Sequence, residues 1–141
     1  MNTQALPSKK ASFQQWHKET IRWVKEFDLY IYELNELKKR VDSKKVKDHI
    51  DVQVQKNIVL ITKTTQDRLL KDVLDGLQKH KAHFTNLLQS ENQMEIQNYK
   101  EAHLSLTKRI RQLRGKLGSL KTRISDFLNS ESRIQRHGYS Y

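Results

Sequence analysis

The chain has 141 residues, of which 35% are hydrophobic, and its formal net charge is +11. This length fits one domain, and the apolar content is low for a compact globule but sufficient for the narrow apolar stripe of long helices. Because the sequence contains no cysteine, disulfide scaffolds and thiolate metal sites are excluded. No stretch approaches about 18 apolar residues and no signal-peptide core is evident, so we expect a soluble, cytoplasmic protein.

The first predicted helix follows an N-terminal tail, residues 1–11. Ser12 and Gln15 have the spacing of a capping box, which marks the start of a helix. From there, apolar or semi-apolar positions recur at alternating steps of three and four residues, a heptad pattern that only a helix supports. These positions are Phe13, Trp16, Thr20, Trp23, Phe27, Tyr30, Leu34, Leu37 and Val41. Asp42 and Ser43 favour turns, so we expect the helix to end there.

The middle of the chain is predicted to be a second helix that stops near Ser90. Its downstream half carries helix-spaced apolar residues at Leu69, Val73, Leu77, Phe84 and Leu88. Residues 50–66 are ambiguous, because alternating and β-branched residues there also suit a strand. No glycine or proline turn would close a hairpin, and an isolated hairpin is marginally stable. We therefore favour helix, with a register change or kink near residues 62–66, and keep strand as the alternative.

The third predicted helix has the most regular pattern. Asn92 is a suitable N-cap with Glu95 three residues later, and the tail at residues 131–141 has little periodicity. The stripe contains Tyr99, His103, Leu106, Ile110, Leu113, Leu117, Leu120, Ile124 and Phe127. Gly115 and Gly118 face outward in this register, so they weaken the helix without interrupting its stripe.

Together these patterns predict an all-α fold, an elongated up-down-up three-helix bundle that resembles an antiparallel coiled coil. The short links make consecutive helices antiparallel, and residues 12–130 form the single domain. No catalytic motif is present, and His80 and His83 have no glutamate placed to complete a metal site. We therefore expect no enzyme activity, metal or cofactor.

Residues 106–125, "LTKRIRQLRGKLGSLKTRIS", contain seven basic residues and no acidic one. These candidate polyanion-binding residues are Lys108, Arg109, Arg111, Arg114, Lys116, Lys121 and Arg123. A structural interpretation is also open, because Glu19, Glu26 and Glu33 form an acidic ridge on the first helix. In parallel helices, Glu26 and Glu33 can face Arg114 and Lys121 and fix the register. The stretch is therefore either a solvated flank of the bundle or a polyanion-binding face.

Two further segments are candidate contact surfaces. The run Ile58, Val59, Leu60 and Ile61 covers most of a helix circumference, so Val59 or Leu60 is expected to face another subunit. In the basic cluster at residues 38–47, Lys38, Lys39 and Arg40 complement the dipole of the first helix at its C-terminus, and the alternative is that the cluster contacts a partner.

The segments "HKETIRWVKEFDLYIYELNELKKR" and "ISDFL" resemble uncharacterised single-domain helical proteins of bacteria. The resemblance implies a long three-helix bundle and transfers no catalytic residue. We expect a non-enzymatic protein that acts through protein contacts, including self-association. The alternatives are a nucleic-acid- or ribosome-associated protein that uses the basic face, and a peripheral binder of anionic membranes.

Overall fold

The computed structural model describes residues 5–90 and 92–130, with side chains from residue 12 onward. Over these residues the chain is helical and contains no strand, which confirms the all-α fold class and excludes the strand alternative for residues 50–66. The elements are α1 (Ala5–Ser43), α2 (His49–Thr64), a π-helical segment (Thr65–Leu70), α3 (Lys71–Leu88) and α4 (Gln93–Asn129). The three consecutive central elements form the middle helix of a three-helix bundle.

The first helix begins at Ala5, so the predicted start at Ser12 is wrong. Pro7 is compatible with this start, because its missing N–H costs nothing in the first turn, where no intrahelical acceptor exists. Residues 5–11, which were predicted to belong to an N-terminal tail, are therefore part of the first helix. Residues 1–4 and the predicted tail at residues 131–141 lie outside the described residues.

The other helix ends follow local side-chain chemistry. The Asn92 side chain accepts a hydrogen bond of 2.9 Å from the Met94 N–H, which confirms the predicted cap of α4. Asp48 caps α2 in the same way, accepting from the Ile50 N–H at 2.8 Å. As predicted, α1 ends at Ser43. The links from α1 to α2 and from α3 to α4 are therefore short.

The predicted apolar stripes form the core of the bundle. All nine stripe positions of α4 are buried, and the α1 positions are buried or half-buried. Gly115 and Gly118 lie outside the stripe, with no neighbouring atom within 4 Å of the place where a Cβ would be. Heptad spacing in the sequence therefore identifies the buried face of both long helices.

The π-helical segment corrects the phase of the middle helix. Ile58, Thr62, Gln66 and Leu70 are all buried, although they are spaced by three successive steps of four residues. In an α-helix three such steps would rotate the face by about 120°. The wider π turn accommodates the extra residue and keeps these side chains on one face. This segment begins at Thr65, within the predicted register change at residues 62–66.

The described chain divides into two compact units. Unit 1 contains α1 up to Leu29, together with Lys71–Arg111. Unit 2 contains Tyr30–Leu70 and the described residues from Gln112 onward.

Within unit 1, α4 runs parallel to α1 and antiparallel to α3. The parallel pairing is shown by Phe13 against Tyr99 and Glu19 against His103. The antiparallel pairing is shown by His80 against His103 and Phe84 against Tyr99. This is the predicted up-down-up order.

Unit 2 shows the same order of helix directions. The Gln55 side chain donates to the Val41 carbonyl at 2.7 Å, and Gln66 donates to the Ile31 carbonyl at 3.0 Å. These bonds place α1 antiparallel to the middle helix. Glu33 lies beside Lys121, and Lys44, directly after α1, lies beside the end of α4, so α1 and α4 are parallel.

Candidate functional site

The predicted polyanion-binding residues of α4 are largely solvent-exposed. Of the seven, the exposed residues are Lys108, Arg109, Arg111, Arg114, Lys116 and Arg123. The α-helical backbone turns these side chains away from the buried stripe, because they occupy heptad positions outside the two apolar ones. These six side chains are therefore accessible to solvent, but their exposure does not identify a ligand.

Lys121 is the exception among the seven basic residues. Its Nζ lies 2.6 Å from Glu33 Oε2 and 4.9 Å from the centroid of the Tyr30 ring. The predicted Glu33–Lys121 pair is therefore confirmed, and Lys121 is held by contacts within unit 2. The predicted pair of Glu26 with Arg114 stays a prediction.

Unit 2 contains a groove beside α4 that is lined by two of the exposed cations. The groove has a volume of about 630 Å³ and is lined by Ile61, Gln112, Gly115, Lys116, Ser119, Leu120 and Arg123. No carboxylate is among these lining residues. Lys116 and Arg123 are two helical turns apart, about 10.5 Å along the axis, so they can contact two different anionic groups of one polymer. We call this surface the basic groove.

The predicted interface run Ile58–Ile61 is mostly part of the bundle. Ile58 is only 1% exposed, and Val59 and Ile61 are half-buried. Ile58 is therefore wrong as an interface residue, because it belongs to the buried face of the middle helix. Leu60 is 62% exposed and is the member of the run with an exposed side chain.

Unit 1 contains a hydrogen-bonded chain of side chains that the sequence patterns did not predict. The His80 Nε2 lies 3.1 Å from His103 Nδ1, and His103 Nε2 lies 3.1 Å from Glu19 Oε2. Trp16 and Trp23 stack against the His103 ring with centroid distances of 5.5 and 5.0 Å. We call this chain the Glu19–His103–His80 network.

The two histidines of the network are held neutral by their surroundings. Burial lowers the pKa of His80 to about 4, and the neighbouring histidines add to this effect. Burial also lowers the pKa of His103, although the carboxylate of Glu19 partly opposes that shift. With both rings neutral, His103 Nε2–H donates to Glu19, and His103 Nδ1 accepts from His80 Nε2–H.

Aromatic side chains pack around the buried polar groups of the network. Tyr99 stacks on His80 with a centroid distance of 4.2 Å, and burial raises the pKa of its hydroxyl to about 12. His17 stacks on Phe84 at 3.9 Å. Heptad position placed His103 on the apolar stripe of α4, where it is buried, but it did not identify the side chains that contact it there.

The described residues contain no group of three or more His, Asp or Glu side chains that could hold a metal ion. Within the same residues, no helix combines the length and apolarity needed to span a bilayer. No protein-family model, curated protein or solved structure matches this chain. The resemblance to bacterial helical proteins therefore stays a prediction.

Proposed function

We propose that this protein is a non-enzymatic helical-bundle protein that binds nucleic acid through the basic groove of unit 2. The observation that carries the proposal is the pair Lys116 and Arg123, which line a groove without a carboxylate. Gln112 and Ser119 add neutral hydrogen-bonding groups that suit phosphate oxygens. The surrounding α4 sequence, residues 106–125, contributes no acidic side chain.

The chemistry of the groove favours recognition of the phosphate backbone rather than of bases. Its lining contains no aromatic side chain on which a base could stack. Contacts limited to phosphates give sequence-indifferent binding that weakens steeply with salt, with a Kd of about 10⁻⁴–10⁻⁶ M at physiological salt. We therefore expect duplex DNA and RNA to bind without a preferred sequence.

We favour nucleic-acid binding over protein contact, because most of the apolar run Ile58–Ile61, on which the predicted protein contact rested, is buried or half-buried. Ile58 is part of the core, and Val59 and Ile61 are only partly accessible. By contrast, six of the seven basic residues of α4 are exposed, and Lys121 is held by Glu33.

We expect that removing the two positive charges of the basic groove lowers the affinity for duplexes and makes that affinity less dependent on salt. The variant Lys116→Gln/Arg123→Gln removes two phosphate contacts, so the slope of log K against log salt should decrease by about two. Fluorescence anisotropy with a labelled duplex, measured over a series of salt concentrations, reports both quantities. A change of the duplex sequence should leave the affinity unaltered.

The matched control is Lys56→Gln/Arg68→Gln. It removes one lysine and one arginine from exposed positions of unit 2 that do not line the groove. An equal loss of binding in this control would show a general charge effect and contradict the groove assignment. Tighter binding to anionic vesicles than to duplexes would transfer the proposal to the membrane surface.

Self-association is a second candidate function, favoured by the 62% exposure of Leu60. If Leu60 contacts another copy of the chain, Leu60→Glu should shift a concentration-dependent oligomer toward monomer while leaving helicity intact. Light scattering over a concentration series measures this shift, and Gln53→Glu on the exposed side of α2 is the control. A wild-type monomer at high micromolar concentration would rule the contact out.

A further inference from the structure

A second groove, in unit 1, brings together cations from α3 and α4. It has a volume of about 330 Å³. The lining residues that bear on its chemistry are Gly76, Lys79, His80, His83, Ser105 and Arg109. Both helices therefore contribute side chains that can donate hydrogen bonds to an anion.

Because Gly76 has no side chain, the groove is open at this position, next to the guanidinium group of Arg109. A Cβ built on Gly76 would lie 3.8 Å from Arg109 Nη1 and 3.8 Å from the Leu106 side chain. Arg109 therefore extends across the face of α3 at the glycine. Lys79 follows Gly76 by three residues, so it lies on the same side of α3, close to one turn along the helix.

The cations of the groove have no acidic partner in the part of the chain that the structure describes. No carboxylate lines the groove, and neither Lys79 nor Arg109 forms an ion pair there. Asp72 and Asp75 precede Gly76 on α3, but neither pairs with these cations. Lys79 and Arg109 therefore have no ion-pair partner among the described residues.

We propose that this groove is a binding site for a dianionic phosphate group, either inorganic phosphate or a phosphomonoester. Lys79 and Arg109 supply two positive charges from facing helices, which match the charge of a dianion. The Ser105 hydroxyl and the His83 ring supply further donors. The site lies outside the basic groove of unit 2 and does not depend on the proposed nucleic-acid function.

The buried wall of the groove is fixed by the network described above. His80 is 5% exposed, and its Nε2 is already engaged with His103. His83 is only half-buried, and its ring meets the edge of Tyr99 at a centroid distance of 5.7 Å. The His83 ring is therefore the imidazole that can respond to a bound anion, and it provides a spectroscopic probe.

Titration of the folded chain with inorganic phosphate tests the proposal. The ring carbon–proton resonances of His83 are followed by NMR at constant ionic strength and at pH 8, where a phosphomonoester with a second pKa of about 6 is dianionic. We expect a saturable shift of the His83 resonances. Dimethyl phosphate, a monoanionic diester that represents the nucleic-acid backbone, should bind more weakly than phosphate.

The variant Lys79→Gln/Arg109→Gln should weaken phosphate binding about tenfold or more, because charge-assisted hydrogen bonds are lost. The control Lys18→Gln/Arg22→Gln removes the same charges from exposed positions of α1 in unit 1, and its affinity should stay within about twofold of the wild type. Arg109→Gln alone replaces the double variant if the latter is poorly folded. A linear shift, equal weakening in the control, or equal affinity for dimethyl phosphate would overturn the proposal.

Discussion

Acidification from pH 7 to pH 4 is expected to lower the free energy of unfolding by about 3 kcal/mol through His80 alone. Burial lowers its folded-state pKa from 6.5 to about 4, and each pKa unit corresponds to about 1.4 kcal/mol. The unfolded chain therefore binds the proton first as the pH falls. This contribution to stability is complete above pH 6.5 and is lost as the pH decreases toward 4. His103 adds to the loss in the same direction, since burial lowers its pKa as well.

Urea unfolding at a series of pH values between 7 and 4 measures this effect. His80→Gln keeps an N–H group that can donate to His103 but cannot titrate in this range, so its stability should fall less steeply with acid. His49→Gln, at an exposed position of α2, should retain the wild-type pH dependence. If wild type and His80→Gln lose stability in parallel, acid destabilisation does not arise from His80.

The apolar stripes of α1 and α4 could be predicted because a regular helix maps sequence spacing directly onto one face. Nine of nine stripe positions in α4 are buried, and Asn92 caps the helix as expected. No tertiary information is needed for such a result, since the 3.6-residue period alone fixes which side chains lie together.

The middle helix shows where that argument fails. Sequence spacing favoured Leu69 and Leu88 as core residues, whereas the structure buries Leu70 and Leu87 and exposes the other two. Leu70 is the last residue of the π-helical segment Thr65–Leu70, where the phase of the helix shifts, so a single α-helical register cannot describe the residues before and after it. Leu88 lies beyond that segment, and there the buried face continues from Phe84 by a step of three residues to Leu87 instead of a step of four. The sequence indicated a register change or kink near residues 62–66 but could not specify its size.

Which side chains meet between neighbouring helices could be predicted only where charged residues repeat every seven positions. The Glu33–Lys121 pair follows from such a repeat, and the structure contains it. Glu19 belongs to the same ridge, yet its carboxylate meets His103 instead of a cation. Predicting that contact requires the axial stagger of α1 and α4, which side-chain packing sets and which heptad phase leaves open.

The basic cluster at residues 38–47 contains a residue whose role depends on such a long-range contact. The sequence suggested that Lys38, Lys39 and Arg40 complement the C-terminus of α1, or that the cluster contacts a partner. The structure instead places Lys44 at the C-terminus of α4, within unit 2. Its Nζ donates to the carbonyl oxygen of Phe127, to that of Ser130 at 2.7 Å and to that of Leu128 at 3.4 Å. The same ammonium group lies 4.8 Å from the centroid of the Phe127 ring.

Lys44→Met is therefore expected to lower the free energy of unfolding by about 2 kcal/mol. A methionine retains much of the aliphatic chain but leaves terminal carbonyls of α4 without their charged donor, and it removes a cation from the negative end of the helix dipole. Urea unfolding at pH 7 measures the loss. Hydrogen exchange should accelerate at the last amides of α4, where the Ser130 N–H bonds to Phe127.

The neighbouring residue supplies the control for this prediction. Lys45 is exposed and forms no hydrogen bond or ion pair in the described part of the chain, so Lys45→Met should change stability by less than about 0.5 kcal/mol. Lys44→Arg should restore part of the loss, because a guanidinium group can still donate to several carbonyl oxygens. Equal destabilisation by Lys44→Met and Lys45→Met would mean that the segment between α1 and α2 contributes to stability only through its net charge. A loss confined to Lys44 assigns the effect to the hydrogen bonds that join the link after α1 to the end of α4.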